Sequence, residues 1–236
     1  MRWNAMPPKI AWVCCTYLRP KYLGHLIHCF LEQDYPRELR SLVILDDAGQ
    51  FENQAGDGWK LFSIPGRFAT LGQKRNAAAA LVPPDVQFFS PVDDDDFQMP
   101  HAMSASAKAL DNADFSIPGF VYQEMQPGQF EKVKQAGHHG SWAYRRWMFE
   151  KVSGYPAITV NEDGGLKHKM EESGAIFADP IDLGYEPYTI YTRFLPTYAT
   201  HTFGRCGYNV IAEQPPKAKL VIEPGYRVKN GRIELA

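Results

Sequence analysis

The chain has 236 residues, 44% apolar and 22% charged, a globular balance that excludes a disordered, collagen-like or coiled-coil chain. At about 150 residues per domain the length fits one large domain, which buries roughly 70% or more of its unfolded surface and needs no disulfide. Lys plus Arg at 25 against Asp plus Glu at 27 leaves a formal charge of -2, which argues against a protein that coats nucleic acid by phosphate neutralisation. Cys14, Cys15, Cys29 and Cys206 follow no CxxC spacing and point to a reducing compartment. The N-terminus lacks an uninterrupted apolar leader, and no run approaches the 18 or so apolar residues of a membrane span, so the expectation is a soluble, cytoplasmic chain without one.

The first half alternates strand-like and helix-like runs. Ile10 to Thr16 is apolar and β-rich, a buried strand that breaks at Arg19-Pro20. Leu23, Leu26, Ile27, Phe30 and Leu31 then recur at helical period and stop before Tyr35-Pro36. Ser41 to Leu45 reads as a second strand, running into Asp46-Asp47 and completing a βαβ unit. A polar, Gly-bearing loop follows, then a short strand at Lys60 to Ile64 and an alanine-rich helix at Leu71 to Leu81. Val86 to Phe89 is another buried strand; it delivers the chain to Asp93-Asp94-Asp95-Asp96, ahead of a helix from Pro100 to about Leu110. Beyond residue 114 come short extended segments and helices near Arg146 to Val152 and Gly164 to Glu172. The pattern predicts one α/β domain, with a mostly parallel N-terminal sheet and a mixed C-terminal half. In such sheets ligands bind at the carboxyl ends of strands, where Thr16-Tyr17, Asp46-Asp47 and the 93–96 acid run converge.

Four consecutive aspartates repel one another and raise each other's pKa, so they call for compensation. A divalent cation would supply it, since hard carboxylate oxygens suit Mg²⁺ or Mn²⁺. A solvated acidic loop capping the next helix is the alternative.

In order and spacing, IAWVCCTYLRPKYLGHLIHCFLEQDYP, LVILDDAG, GQKRNAAAA and FFSPVDDDDFQMP resemble the GT-A glycosyltransferases, and within them glycosyltransferase family two, over about residues 9 to 165. The resemblance implies a single GT-A catalytic domain over 1–236, with a Rossmann-like half binding a nucleotide-sugar (about 9–112) and an acceptor-binding half (about 113–236). It implies a metal-dependent, inverting transfer of a sugar from a nucleotide-diphosphate sugar, with a UDP-sugar expected, to a hydroxyl on a glycan, lipid, protein or other macromolecule. It assigns Thr16, Tyr17, Arg19 and Asp46 to the nucleotide pocket and Arg75 to the base or the diphosphate. Asp93 is expected to meet the ribose as well as the metal, and Asp95 to ligate the metal, with Asp96 helping through water. Asp94 is grouped with the nucleotide-sugar residues and expected to be solvated. Ala78 stands where the family has a glycine after R-N, and Gly72 stands earlier.

Asn161-Glu162-Asp163-Gly164 resembles the family's E-D motif, which makes Asp163 the catalytic base with Glu162 as the fallback; an acid pair at a helix start is also a plain charge effect. His201 falls where GT-A enzymes bring a C-terminal histidine to the metal. His138 and His139, adjacent in an extended segment, point to opposite faces, which leaves one to line the acceptor cleft. Trp142 either shapes the donor or acceptor site or packs in the core. Basic residues at the C-terminus and in Tyr144-Arg145-Arg146-Trp147 keep open a hydroxylated base of modified DNA as acceptor, reached by base flipping. Two further readings stand: nucleotidyl transfer, which would want a glycine-rich phosphate loop, and a non-catalytic sugar-nucleotide or glycan-binding module.

Overall fold

A computed structural model describes residues 7–134, 137–194 and 216–236. Strand β1 (Ile10–Thr16) leads into α1 (Pro20–Leu31), then β2 (Arg40–Asp46), the short β3 (Gln54–Ala55) and β4 (Trp59–Ser63). Helix α2 (Leu71–Ala80) and β5 (Phe88–Val92) follow. Beyond the acid run lie β6 (Phe97–Gln98), α3 (Ala102–Ala109), β7 (Phe115–Ser116) and the hairpin of β8 (Phe120–Gln126) and β9 (Gln129–Lys134). The C-terminal half adds β10 (Ala143–Arg145), α4 (Arg146–Lys151), α5 (Glu162–Glu172), β11 (Phe177–Ala178) and β12 (Thr189–Tyr191), and ends in the hairpin β13 (Tyr226–Lys229) with β14 (Arg232–Leu235).

The main sheet has eight strands in the order β11-β7-β10-β5-β1-β2-β4-β3. Its centre is parallel, β5, β1, β2 and β4 all pointing one way, while β10 runs antiparallel to β5. Four strands, β6-β12-β8-β9, form a second sheet. The expected α/β architecture is therefore present.

Successive strand residues face opposite sides of the sheet, and β1 divides its apolar side chains accordingly. Ile10, Trp12 and Cys14 join Leu23, Leu26 and Phe30 of α1 and Met103 of α3 in one core layer. Ala11 and Val13 join Ala78 and Ala79 of α2, Met148 of α4 and Leu166 of α5 in the other. Burial on both faces explains why these strands read as continuous apolar runs rather than alternating ones.

Two starts and one close approach are set locally. Pro20 opens α1, where its missing N–H costs nothing, and the Thr70 side chain accepts from Gln73 N at the start of α2. Gly72 donates its N–H to Ile158 O at 3.0 Å, and a Cβ there would stand 1.9 Å from Pro156 O. The glycine that α2 needs for close packing thus stands at 72, and Ala78 is simply buried core.

Residues 217–226 return across α1. Ala218 N donates to Gln50 O, Lys217 Nζ to Phe51 O, and Tyr226 Oη to Gln98 O. Lys217 also pairs with Glu52, and Arg227 with Glu234. In the other basic stretch, Arg145 donates to Ala113 O and Arg146 to Glu150 and Pro83 O, which places both arginines in structural roles. Among the described residues no helix is long and apolar enough to cross a membrane.

Candidate active site at the strand tips

Register brings the site together. Thr16 pairs with Asp46, Asp46 with Ser63, and Cys14 with Val92, so β1, β2, β4 and β5 end side by side and their following loops share one edge. The three polar tips read from the sequence do converge there.

On the β1–β2–β4 flank the acids are closed by fixed donors. Asp46 is fully buried and accepts from Ala48 N, Gln50 N and Ser63 Oγ at 2.7 to 3.0 Å. That carboxylate holds the loop after β2. Asp47 receives Lys74 Nζ at 2.5 Å and Arg67 Nη1 at 3.0 Å, and Lys74 Nζ also donates to Thr16 O. Asp94 is buried rather than solvated, which corrects the expectation: Thr16 Oγ1 and Arg19 Nη1 each donate to it at 2.6 Å. Arg19 Nη1 lies 3.0 Å from Asp95 as well, so one guanidinium bridges the two middle aspartates and bridging acids hold its pKa up. Tyr17 lies under the Arg67 guanidinium, 3.5 Å from Cζ to the ring centroid, and Leu18 beside it takes a left-handed φ of 58°, a strained conformation for a residue with a branched side chain.

The other flank is more open. Arg75 lies between Asp93 (Nη2 to Oδ1, 3.4 Å) and Glu162 (Nε to Oε1, 3.0 Å). Burial alone would pull the Arg75 guanidinium down, but Asp93 and Glu162 together hold it well above its ordinary value. Asn161, at φ 62°, turns the chain into α5, and a Cβ on Gly164 would strike its side chain. Glu162 is buried, with its carboxyl raised by burial against the lowering pull of Arg75. Asp163 is half-buried and accepts from Gly164 N at 2.7 Å.

Negative charge is left over. Burial first, then Asp94 and Asp93, push Asp95 up to about 7 against the lowering effect of Arg19. Asp96 is raised further, by burial and then by Asp95 and Asp93. Its Oδ1 accepts from Thr192 N at 3.2 Å, and the Thr192 hydroxyl donates to Asp95 O. Uncompensated charge on hard oxygens is what a divalent cation relieves. Among the described residues no three His, Cys, Asp or Glu side chains form a finished coordination set. Two oxygens do face one point: Oδ2 of Asp93 and Oδ2 of Asp96 lie 3.2 and 3.5 Å from where a Cβ on Gly140 would stand. The donor chemistry therefore fits a cation whose remaining ligands come from elsewhere, such as substrate phosphates.

Around the acid run, His138 packs on Tyr191 with ring centroids 4.0 Å apart and the ring planes tilted by 36°. His139 opens the short turn His139–Ser141 rather than continuing an extended segment, and makes a buried contact with Tyr155 Oη at 2.8 Å. Burial, then Arg75, keeps the His139 ring well below its ordinary pKa, so it is neutral. Trp142 is buried edge-to-face against Phe115 and His139, which puts it in the core. His201 lies outside the described residues. Sequence reasoning passed over Lys74, Arg67, Thr192 and Gly140. Lys74 had a signal, standing beside Arg75 in GQKRN; the other three had none.

No protein-family description matches the chain, and no curated protein sequence matches it. Solved structures do. S. aureus TarS 1-349 in complex with UDP-GlcNAc is 16% identical with a TM-score of 0.64, over 83% of this chain and 61% of that one. Mannosyltransferase PcManGT from Pyrobaculum calidifontis in complex with GDP-Man and Mn²⁺ is 16% identical with a TM-score of 0.58, over 88% of this chain and 62% of that one. The fold is that of the GT-A glycosyltransferases. This chain spans about three fifths of the length of those two. In a GT-A fold the acid run occupies the carboxyl edge of a parallel sheet, the edge at which such sheets bind nucleotides.

Proposed function

We propose that this protein is a metal-dependent, inverting glycosyltransferase that moves a sugar from a nucleotide-diphosphate sugar, a UDP-sugar first, to an acceptor hydroxyl on a glycan or other macromolecule. The observation that carries the reading is the acid run at the tip of β5, in a GT-A fold, flanked by Arg75 and by the acid pair that opens α5. Asp93, Asp95 and Asp96 are the residues that would hold Mn²⁺ or Mg²⁺, which when bound supplies Lewis-acid stabilisation to a departing diphosphate. Thr16, Tyr17, Arg19 and Asp46 belong to the nucleotide side, where their part is to shape and fix the β1 and β2 tips. Arg75 links Asp93 to Glu162, and so couples the donor side to the acceptor side.

The base is Asp163. Glu162 is committed to Arg75, whereas Asp163 makes one hydrogen bond to Gly164 N among the described residues and keeps lone pairs for an acceptor proton. A GDP-sugar is the second donor reading, favoured by the GDP-Man complex of the mannosyltransferase neighbour. The test is turnover of UDP-, GDP- and dTDP-sugars with and without Mn²⁺, alongside Asp163→Asn. Mn²⁺-dependent turnover of one donor, with Asp163→Asn still binding that donor but losing transfer, supports the assignment. No binding or turnover of any donor overturns it, and transfer retained by Asp163→Asn removes the base from Asp163.

A further inference from the structure

Gly140 sits in the single turn His139–Ser141, packed against the acid run. Its backbone does not require glycine, because its φ lies outside the left-handed region. A side chain would instead meet the acids: a Cβ would stand 3.2 Å from Asp93 Oδ2, 3.4 Å from Asp93 N and 3.5 Å from Asp96 Oδ2. Both carboxylates are oriented the same way. Oδ1 of Asp93 faces Arg75 and Oδ1 of Asp96 accepts from Thr192 N, which leaves Oδ2 of each turned toward Gly140.

The turn is also fixed from behind. Gln98 Nε2 donates to Gly140 O at 2.9 Å, and Ser141 Oγ to His138 O at 2.7 Å. The buried His139 ring is 2.8 Å from Tyr155 Oη, which lies 2.8 Å from Tyr144 Oη. Asn76 clamps the Tyr155 backbone through both N and O at 2.9 Å. With the turn pinned on both sides, a Cβ at 140 is held against both carboxylates, and their Oδ2 atoms must give way to it.

We infer that Gly140 is left without a side chain so that Asp93 Oδ2 and Asp96 Oδ2 stay open to a divalent cation. The inference rests on the reading of the acid run as a cation site. It is tested by titrating the full chain with Mn²⁺, both without nucleotide and with saturating UDP, and following free Mn²⁺ by electron paramagnetic resonance against a protein-free UDP blank for wild type, Gly140→Ala, Gly140→Val and Gly66→Ala. Gly66 has nothing within 4 Å of a built Cβ and serves as the control. The expected result is Mn²⁺ binding weakened roughly 10–100-fold in Gly140→Ala, at least as much in Gly140→Val, and unchanged in Gly66→Ala, with the Ala variant melting as wild type does. Wild-type affinity in Gly140→Ala overturns the inference; should Gly140→Val not fold, Gly140→Ala alone decides. Wild type that binds no Mn²⁺ either with or without UDP but still binds a UDP-sugar overturns the inference and leaves the donor assignment standing. The Mn²⁺ pattern without binding of any sugar nucleotide does the reverse.

Discussion

Asp93 and Asp94 are adjacent, yet they belong to two differently built flanks of the strand tips. Toward β1, β2 and β4, the oxygens of Asp46, Asp47 and Asp94 are met by fixed donors. Toward the 139–141 turn and α5, Asp93, Asp96 and Asp163 each keep an oxygen to which no described residue donates. Acid density alone therefore does not mark a reactive site. The saturated acids hold the loops in place, and the acids that keep lone pairs are the ones the proposed function uses.

The contrast is broken most directly by stability. Asp94→Ala takes the acceptor from two buried donors, Thr16 Oγ1 and Arg19 Nη1, and is expected to cost about 3–5 kcal/mol, whereas Asp93→Ala removes a partly exposed carboxylate 3.4 Å from Arg75 and is expected to cost less than about 1 kcal/mol. Equal losses in urea unfolding would erase the distinction. Next, Asp163→Asn is expected to slow transfer by roughly 10²–10⁴-fold, with donor affinity and melting temperature unchanged; a matching loss of stability would move Asp163 into the structural flank. Gly72→Ala forces α2 away from the 156–158 loop and is expected to cost about 1–3 kcal/mol, which a thermal melt will read.

The last expected effect is pH-dependent. In the folded protein Asp95 holds its proton up to about 7, against 3.8 for a free side chain, so the folded state binds a proton that the unfolded chain releases. That contribution is complete below 3.8 and is lost as pH rises through about 7. Metal-free protein should therefore melt lower at pH 8 than at pH 5, and Mn²⁺ should narrow the gap. A melting temperature that climbs over this range would contradict the charge excess assigned to the acid run.

Much of the frame was legible because strands buried on both faces and a proline-started helix leave strong local signals. Strand β1 has the bounds read for it, Ile10–Thr16. The sequence places the fifth strand at Val86 to Phe89, but it runs Phe88–Val92 and takes in Ser90-Pro91. Pro91 is tolerated there because β10 pairs only at Phe88 and Phe89, so no ladder bond on that side is lost at 91. The partner of Asp94 was not legible. Arg19 lies 75 positions away, and nothing local says that a guanidinium rather than water will meet that carboxylate. Gly140 was equally silent, because its reason is the space opposite it and not its own backbone.

The claim at the centre of this account is that the open flank takes a divalent ion which holds a donor diphosphate. Calorimetric titration of UDP into wild type and Asp93→Asn, each with and without Mn²⁺, tests it. The account predicts wild-type affinity raised about tenfold or more by Mn²⁺, at least 1.4 kcal/mol by the usual conversion, and that gain abolished in Asp93→Asn. UDP binding that is indifferent to Mn²⁺, or a gain that survives in Asp93→Asn, would contradict it.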